Sequence, residues 1–338
     1  MVLQLCSRFF LKPTKSVHLF LQISLYSAID WMVRRLAWMK LNKHKSKELA
    51  QKIVYYLIIF FGFIFRKLNY ATTVQLAAWL GDLFFNVVKI RRQLVLQNLA
   101  MVFPARREKE IRQLARQVYR NQAENLLDML RLSSMRTSED ASKLLTIDTT
   151  EFLAKTTHVK KGAVLVSAHF SNWELLARSI GLLVTPLHVV VKRLRNSFVD
   201  QKINQWRAEC GNHVIYKNAA FREGIRMLQK GGVLSFLGDQ SDPKGTFFMD
   251  FLGRRTSVFV GPAYIALKAE VPLFVVMGYR LGNGGYKAEL QEIDMNGLQA
   301  TKQDAEELVR RYTAVVERYI YQYPAEWFWF HDRWKRVG

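Results

Sequence analysis

The chain has 338 residues, 50% of them hydrophobic and 23% charged, with a formal net charge of +22. That balance excludes a disordered chain and a multi-span membrane bundle, and the length suits one large domain or two. The cationic excess calls for a polyanionic partner, whether nucleic acid, an anionic membrane or an acidic carrier. Two cysteines, Cys6 and Cys210, exclude a disulfide framework and a zinc set and suit a reducing compartment.

Residues 17–33 form an apolar run broken by Asp30, which reads as a helix lying at an interface. Arg34, Arg35, Lys40, Lys43, Lys45, Lys47 and Lys52 follow, with Glu48 as the acid among them. Residues 53–65 are apolar throughout and end at Arg66-Lys67. That run is shorter than the ~20 residues of a spanning helix, and with tyrosines at one end and cations on both sides it predicts an interfacial or partly inserted anchor. Residues 1–72 are therefore taken as a basic, apolar membrane-anchoring region and 73–338 as the main domain, with a helical part to 160 and an α/β part from 161. Residues 74–88 predict a helix running on through Leu99 to Phe103, stopped by Pro104. Residues 108–132 predict a charged helix with an apolar stripe, its Glu124 on a solvated face. Residues 133–160 read as a polar connection.

From Gly162 onward strands and helices alternate. Strands are predicted over 163–168, 187–192, 212–216, 233–237, 273–279 and 286–290. Helices are predicted over 172–183, 197–210, 219–229, 260–270 and 301–321. The fold expected is α/β, a mixed central sheet flanked by helices. The pivot is AVLVSAHFSNWE, a buried strand, a loop carrying His169, then a helix. Ligands of open α/β sheets sit beyond the carboxyl ends of strands, where His169 falls. On one continuous helix His169 and Glu174 would stand about 140° apart. A strand-to-helix corner lets them meet, so that the carboxylate fixes one ring nitrogen and the other takes a proton from a hydroxyl. Ser171-x-x-Glu174 is also a capping box, and a carboxylate has oxygens for both roles.

Other residues carry chemistry or punctuation. Lys192-Arg193-Leu194-Arg195-Asn196, with Lys202 and Arg207, makes a basic stretch at a strand end that holds a phosphate, offsets charge on a thioester oxygen, or is solvated. Asp239 after Gly238 either positions a cation or substrate amine or forms a turn. Arg254, Arg255 and Arg280 are phosphate contacts or solvated surface cations. In the tail, Tyr323–Trp334, clustered aromatics and interleaved cations suit a membrane interface or a sugar-phosphate headgroup. No dinucleotide fingerprint and no nucleophile elbow appears.

HFSNWE resembles the H-x₄-(D/E) signature of the lysophospholipid acyltransferase superfamily, and its HF-x-NWE form is similar to the late lipid A (lauroyl/myristoyl) acyltransferase branch. Further blocks in order are similar to that branch over residues 75–336: RR…NL…FP at Arg91–Pro104; Asn196, Arg207 and Gly211; Asp239-Gln240; Gly253, Gly261 and Pro272; and the YP-x-x-W-x-W-x-H-x-R-W-K tail. The block's leading arginine is replaced by Lys192, which keeps the charge but loses the bidentate fork. The resemblance implies an O-acyltransferase with His169 and Glu174 as the catalytic pair and Lys192, Asn196, Arg207, Asp239, Gln240, Arg254 and Arg280 toward substrate. It implies no metal or other cofactor and no acyl-enzyme. It further implies an acyl-carrier protein as donor, a lipid A precursor as acceptor, and an inner-membrane location with the domain facing the cytoplasm. Acyl-CoA with another glycolipid such as a phosphatidylinositol mannoside is the alternative, and a non-catalytic lipid- or nucleic-acid-binding protein of the same fold is a third. Burying a 12-carbon tail favours binding by about 9 kcal/mol at ~0.8 per CH₂, so an apolar slot beside His169 is expected. That reading stands on the His169 imidazole meeting the Glu174 carboxylate beside an open slot.

Overall fold

The computed structural model of the chain describes residues 43–156 and 159–336. The expected interfacial helix at 17–33, the cations at 34–40 and Cys6 lie outside them.

Nine strands occur among the described residues: β1 (Leu145–Ile147), β2 (Ala163–Ser167), β3 (Leu187–Val191), β4 (His213–Tyr216), β5 (Val233–Leu237), β6 (Phe248–Phe251), β7 (Arg254–Ser257), β8 (Leu273–Arg280) and β9 (Tyr286–Glu292). Seven form one sheet in the order β1-β9-β8-β2-β5-β3-β4, and β6 and β7 make a separate antiparallel hairpin. Strands β8, β2, β5, β3 and β4 run parallel, β9 runs antiparallel to β8, and β1 pairs parallel with β9. The mixed α/β sheet is thus as the sequence predicts. β2 lies inside it with every residue buried, as a parallel strand covered on both faces must be. Its side chains alternate, Val164 and Val166 entering one core cluster and Ala163 and Leu165 the other.

The helices are α1 (Lys43–Phe65), α2 (Tyr70–Leu83), α3 (Arg92–Val102), α4 (Glu108–Arg131), α5 (Ser138–Ser142), α6 (Thr150–Lys155), α7 (Trp173–Leu183), α8 (Ser197–Ala208), α9 (Ala220–Gln229), α10 (Gly261–Ala269) and α11 (Lys302–Gln322). α4 starts with Glu108 and Glu110, which suit its positive end, and buries Ile111, Ala115, Val118, Leu126, Leu127 and Leu130. α1 and α2 both pack on α4, and α1 also on α8.

Three expectations change. The helix predicted through 74–103 breaks after a π turn at Phe84–Val88, where Lys89 and Arg91 adopt φ of 58° and 49°. Long-range contacts fix the break: the Arg91 guanidinium donates to the Phe330 carbonyl at 2.9 Å, and the Tyr119 hydroxyl donates to the Ile90 carbonyl. The stretch read as a polar connection holds α5, β1 and α6; β1 is three residues long, too short to show a period. Trp327, Phe328, Trp329 and Phe330 of the tail are buried in the main core instead of facing a membrane or headgroup.

Candidate functional site

β2 and β5 are parallel neighbours whose register sets Ser167 opposite Leu237. Two residues past each strand end stand His169 and Asp239. The register therefore brings an imidazole and a carboxylate side by side from positions 70 residues apart. Gly238 makes the approach possible. Its N–H donates to the Ser167 carbonyl at 2.8 Å, and a Cβ there would sit 3.0 Å from Val166 Cγ1.

His169 Nδ1 lies 2.8 Å from Asp239 Oδ1, and the His169 backbone N–H donates to Asp239 Oδ2 at 3.1 Å. The Trp327 indole N–H donates to the same Oδ2 at 2.8 Å. Burial pushes the Asp239 carboxyl up, but the imidazole, its hydrogen bond and the indole more than offset this and hold it at about 2. An ionised Asp239 fixes the proton on Nδ1 and leaves Nε2 with a free lone pair. That lone pair faces the Gln240 side-chain amide nitrogen at 3.2 Å. Such an imidazole can take a proton from a hydroxyl that replaces the amide.

The tail builds the floor. Phe170 and Trp327 form an antiparallel bridge, the Phe328 N–H donates to the His169 carbonyl at 2.9 Å, and the Ser171 N–H donates to the Glu326 carbonyl at 2.8 Å. Ser171 takes a left-handed φ of 50° as the chain turns from strand to helix. The capping-box alternative for Ser171 and Glu174 is not adopted: Asn172 caps α7, its side-chain oxygen accepting from the Leu175 N–H at 3.1 Å.

The expected contact between His169 and Glu174 is replaced. Glu174 lies one residue into α7 and turns to α8, where the Arg207 guanidinium donates to both its oxygens at 3.1 and 2.5 Å. Burial works against the Arg207 cation, and Glu174 more than offsets it. The base that meets His169 is Asp239, for which sequence reasoning offered a cation, an amine or a turn. The signal was present, since both residues stand two past a predicted strand, but the adjacency of those strands was not.

The other candidates divide. Lys192 and Gln240 line a cleft of about 190 Å³ together with His169, Glu174, Arg207 and Lys217. Burial lowers the Lys192 pKa, and Lys217 and Arg195 lower it further, so the mouth is electropositive. Asn196 faces inward: its side-chain oxygen accepts from the Phe198 and Val199 N–H groups and its amide donates to the Gln51 carbonyl at 3.0 Å. Arg280 is no surface phosphate contact. It is half-buried and held by Glu326, Glu124 and Asn125, and those acids together with Tyr286 and Asp128 raise its pKa against the desolvation. Glu124, expected in solvent, is 8% exposed because Arg280 holds it. Arg254 sits exposed on the β6–β7 hairpin, outside the walls of the His169 cleft. No group of three or more metal-ligating side chains occurs among the described residues.

A second, apolar chamber of about 70 Å³ adjoins the cleft, lined by Leu132, Leu176, Ile180, Ile203, Trp206 and Val276 among others. It matches the expected slot in character and is smaller than a fatty tail requires.

The model of the bacterial lipid A biosynthesis acyltransferase family matches residues 41–336. The chain is 23% identical over 272 residues to the lipid A biosynthesis lauroyltransferase of Escherichia coli (strain K12), covering 80% of this chain and 87% of that one. It is also 23% identical over 178 residues to the phosphatidylinositol mannoside acyltransferase of Mycolicibacterium smegmatis (strain ATCC 700084 / mc(2)155), covering 52% of this chain and 57% of that one. With the match spanning sheet, cleft and tail, the chain is an acyltransferase belonging to the bacterial lipid A biosynthesis acyltransferase family.

Proposed function

We propose that the protein moves a fatty acyl group from an acyl-carrier-protein thioester to a hydroxyl of a lipid A precursor, with His169 as general base and Asp239 as its partner. The observation that carries this is the buried His169–Asp239 pair opening through Nε2 onto a cationic cleft with an apolar chamber behind it. Nε2 takes the acceptor proton while Asp239 stabilises the imidazolium. The alkoxide attacks the thioester carbonyl, and the tetrahedral intermediate expels the thiolate, which recovers the proton from the imidazolium. Gln240, displaced from Nε2 by the hydroxyl, donates its amide to the developing oxyanion, a contribution typically about 10²- to 10³-fold. Lys192 and Lys217 at the mouth suit an acidic carrier protein or a phosphorylated acceptor. The exposed apolar side of α1, bordered by Arg66 and Lys67, suits an anionic membrane surface, with the cleft on the side where the lipid is made.

The E. coli relative is named for lauroyl transfer to lipid A, which supports this acceptor. The mycobacterial relative is named for a phosphatidylinositol mannoside, which supports another glycolipid as acceptor in a second reading, with acyl-CoA as the donor to be tested beside it. Purified protein offered each donor with each acceptor, with products read by mass spectrometry, separates them. Asp239→Asn is expected to lower kcat roughly 10²- to 10⁴-fold, the usual range for losing a working general base. Full activity in Asp239→Asn overturns the pairing, and full activity in His169→Ala overturns the mechanism.

A further inference from the structure

The His169 cleft and the apolar chamber share walls, among them Trp173, Glu174, Val190, Arg207, Phe236 and Leu237. The charged members of that shared wall are Glu174 from α7 and Arg207 from α8, joined by their two hydrogen bonds. On one side of the pair lie His169, Lys192 and Gln240; on the other lie Leu132, Ile180, Ile203 and Trp206. The chamber holds about 70 Å³. An apolar cavity that takes one benzene ring holds about 150 Å³. A fatty tail therefore enters only if a wall moves.

The close-packed residues around the chamber resist displacement. The ion pair resists least. Its side chains keep 17% and 20% exposure and come from two separate helices. Arg207 has a second seat on its own helix, where its Nη1 already donates to Asn204 Oδ1 at 3.0 Å, one turn from Asp200. A tail that stops at the pair leaves hydrocarbon against two charges. A tail that passes it gains about fourfold in binding for each further methylene buried.

We propose, resting on the acyl-transfer reading, that the Glu174–Arg207 pair is a latch between cleft and chamber. The incoming tail parts it, Arg207 swings toward Asn204, and the methyl end comes to rest against Trp206. The glutamate of the H-x₄-E motif then selects acyl length and is not the partner of the imidazole.

Trp206 supplies a readout independent of turnover. Full-length protein in amphipol is mixed with 12-bromododecanoate, whose bromine quenches a tryptophan at the tail's end, or with 2-bromododecanoate as the head-end control. The Trp206-dependent signal is isolated by subtracting the Trp206→Phe variant. Quenching by the 12-bromo compound and not by the 2-bromo compound is expected. It should be at least tenfold faster in the paired variant Glu174→Gln/Arg207→Met, which removes both charges and strands neither. Activity on donors of 8 to 16 carbons should lose at least tenfold of its preference in that variant, while the pH profile of kcat stays unchanged. Equal quenching rates with and without the pair, or an unchanged chain-length preference, overturn the latch even if acyl transfer is confirmed. Latch-dependent quenching without acyl transfer to any acceptor overturns the function and leaves the latch.

Discussion

Asp239 accepts three hydrogen bonds, from the His169 ring, the His169 backbone and the Trp327 indole, so its carboxylate is fixed in plane and in charge. A second imidazole shares this field. Burial lowers His331 to about 3; Asp239 raises it, and Arg333 and His169 lower it further. Its folded value lies below its unfolded one, near 6.5, so on acidification the unfolded chain binds the proton first. The stability from keeping His331 neutral is complete above pH 6.5 and is lost as pH falls toward 3, at about 1.4 kcal/mol per pH unit. Guanidinium unfolding at pH 7 and pH 5 checks this. The wild type should lose about 2 kcal/mol more than His331→Asn over that interval. At this scale His169, Asp239, Gln240 and Lys192 were all legible as candidates. The partner of His169 was not, because a local five-residue spacing competes with a contact set by strand register.

Among the elements, α1 shows how a pattern can be right and its extent wrong. The apolar run at 53–65 looked too short to span, yet the helix starts at Lys43, and Glu48–Phe65 and Tyr70–Val88 are both long and apolar enough to cross a membrane by length and composition. The inner face of α1 packs on the domain. Ala50, Val54 and Ile58 are buried against Leu130 of α4 and Val199, Ile203 and Trp206 of α8. Gln51 also exchanges hydrogen bonds with the Arg195 and Asn196 segment. Leu49, Ile53, Tyr56, Phe60 and Phe63 face outward at alternating spacings of four and three, an exposed apolar stripe. Phe60→Ser/Phe63→Ser should weaken co-sedimentation with anionic vesicles at least tenfold, since each buried Phe favours association by roughly 1.5–3 kcal/mol. Far-ultraviolet circular dichroism should not change, because both rings are more than half exposed.

For the molecule as a whole, the sequence carries most strands and helices in order, since β2, β5 and β8 are short apolar runs bounded by glycine, proline or polar turns. It does not carry which strands touch. The tail was legible as a motif and misread as surface, because Trp327 and Trp334 donate their N–H groups to Asp239 and to the Phe251 carbonyl, contacts that no local pattern encodes. Trp327→Phe keeps the packing and removes one donor to Asp239. It should lower kcat about tenfold and cost about 1 kcal/mol of stability, measured by steady-state kinetics and guanidinium unfolding. The shared two-residue overhang of β2 and β5 has a temporal meaning. Imidazole and carboxylate reach the same height only when the ladder between their strands has closed to its final rung, and pairing segments this far apart is slow. A half-assembled chain therefore holds an imidazole with no carboxylate to direct it, and the pair exists only once folding is finished.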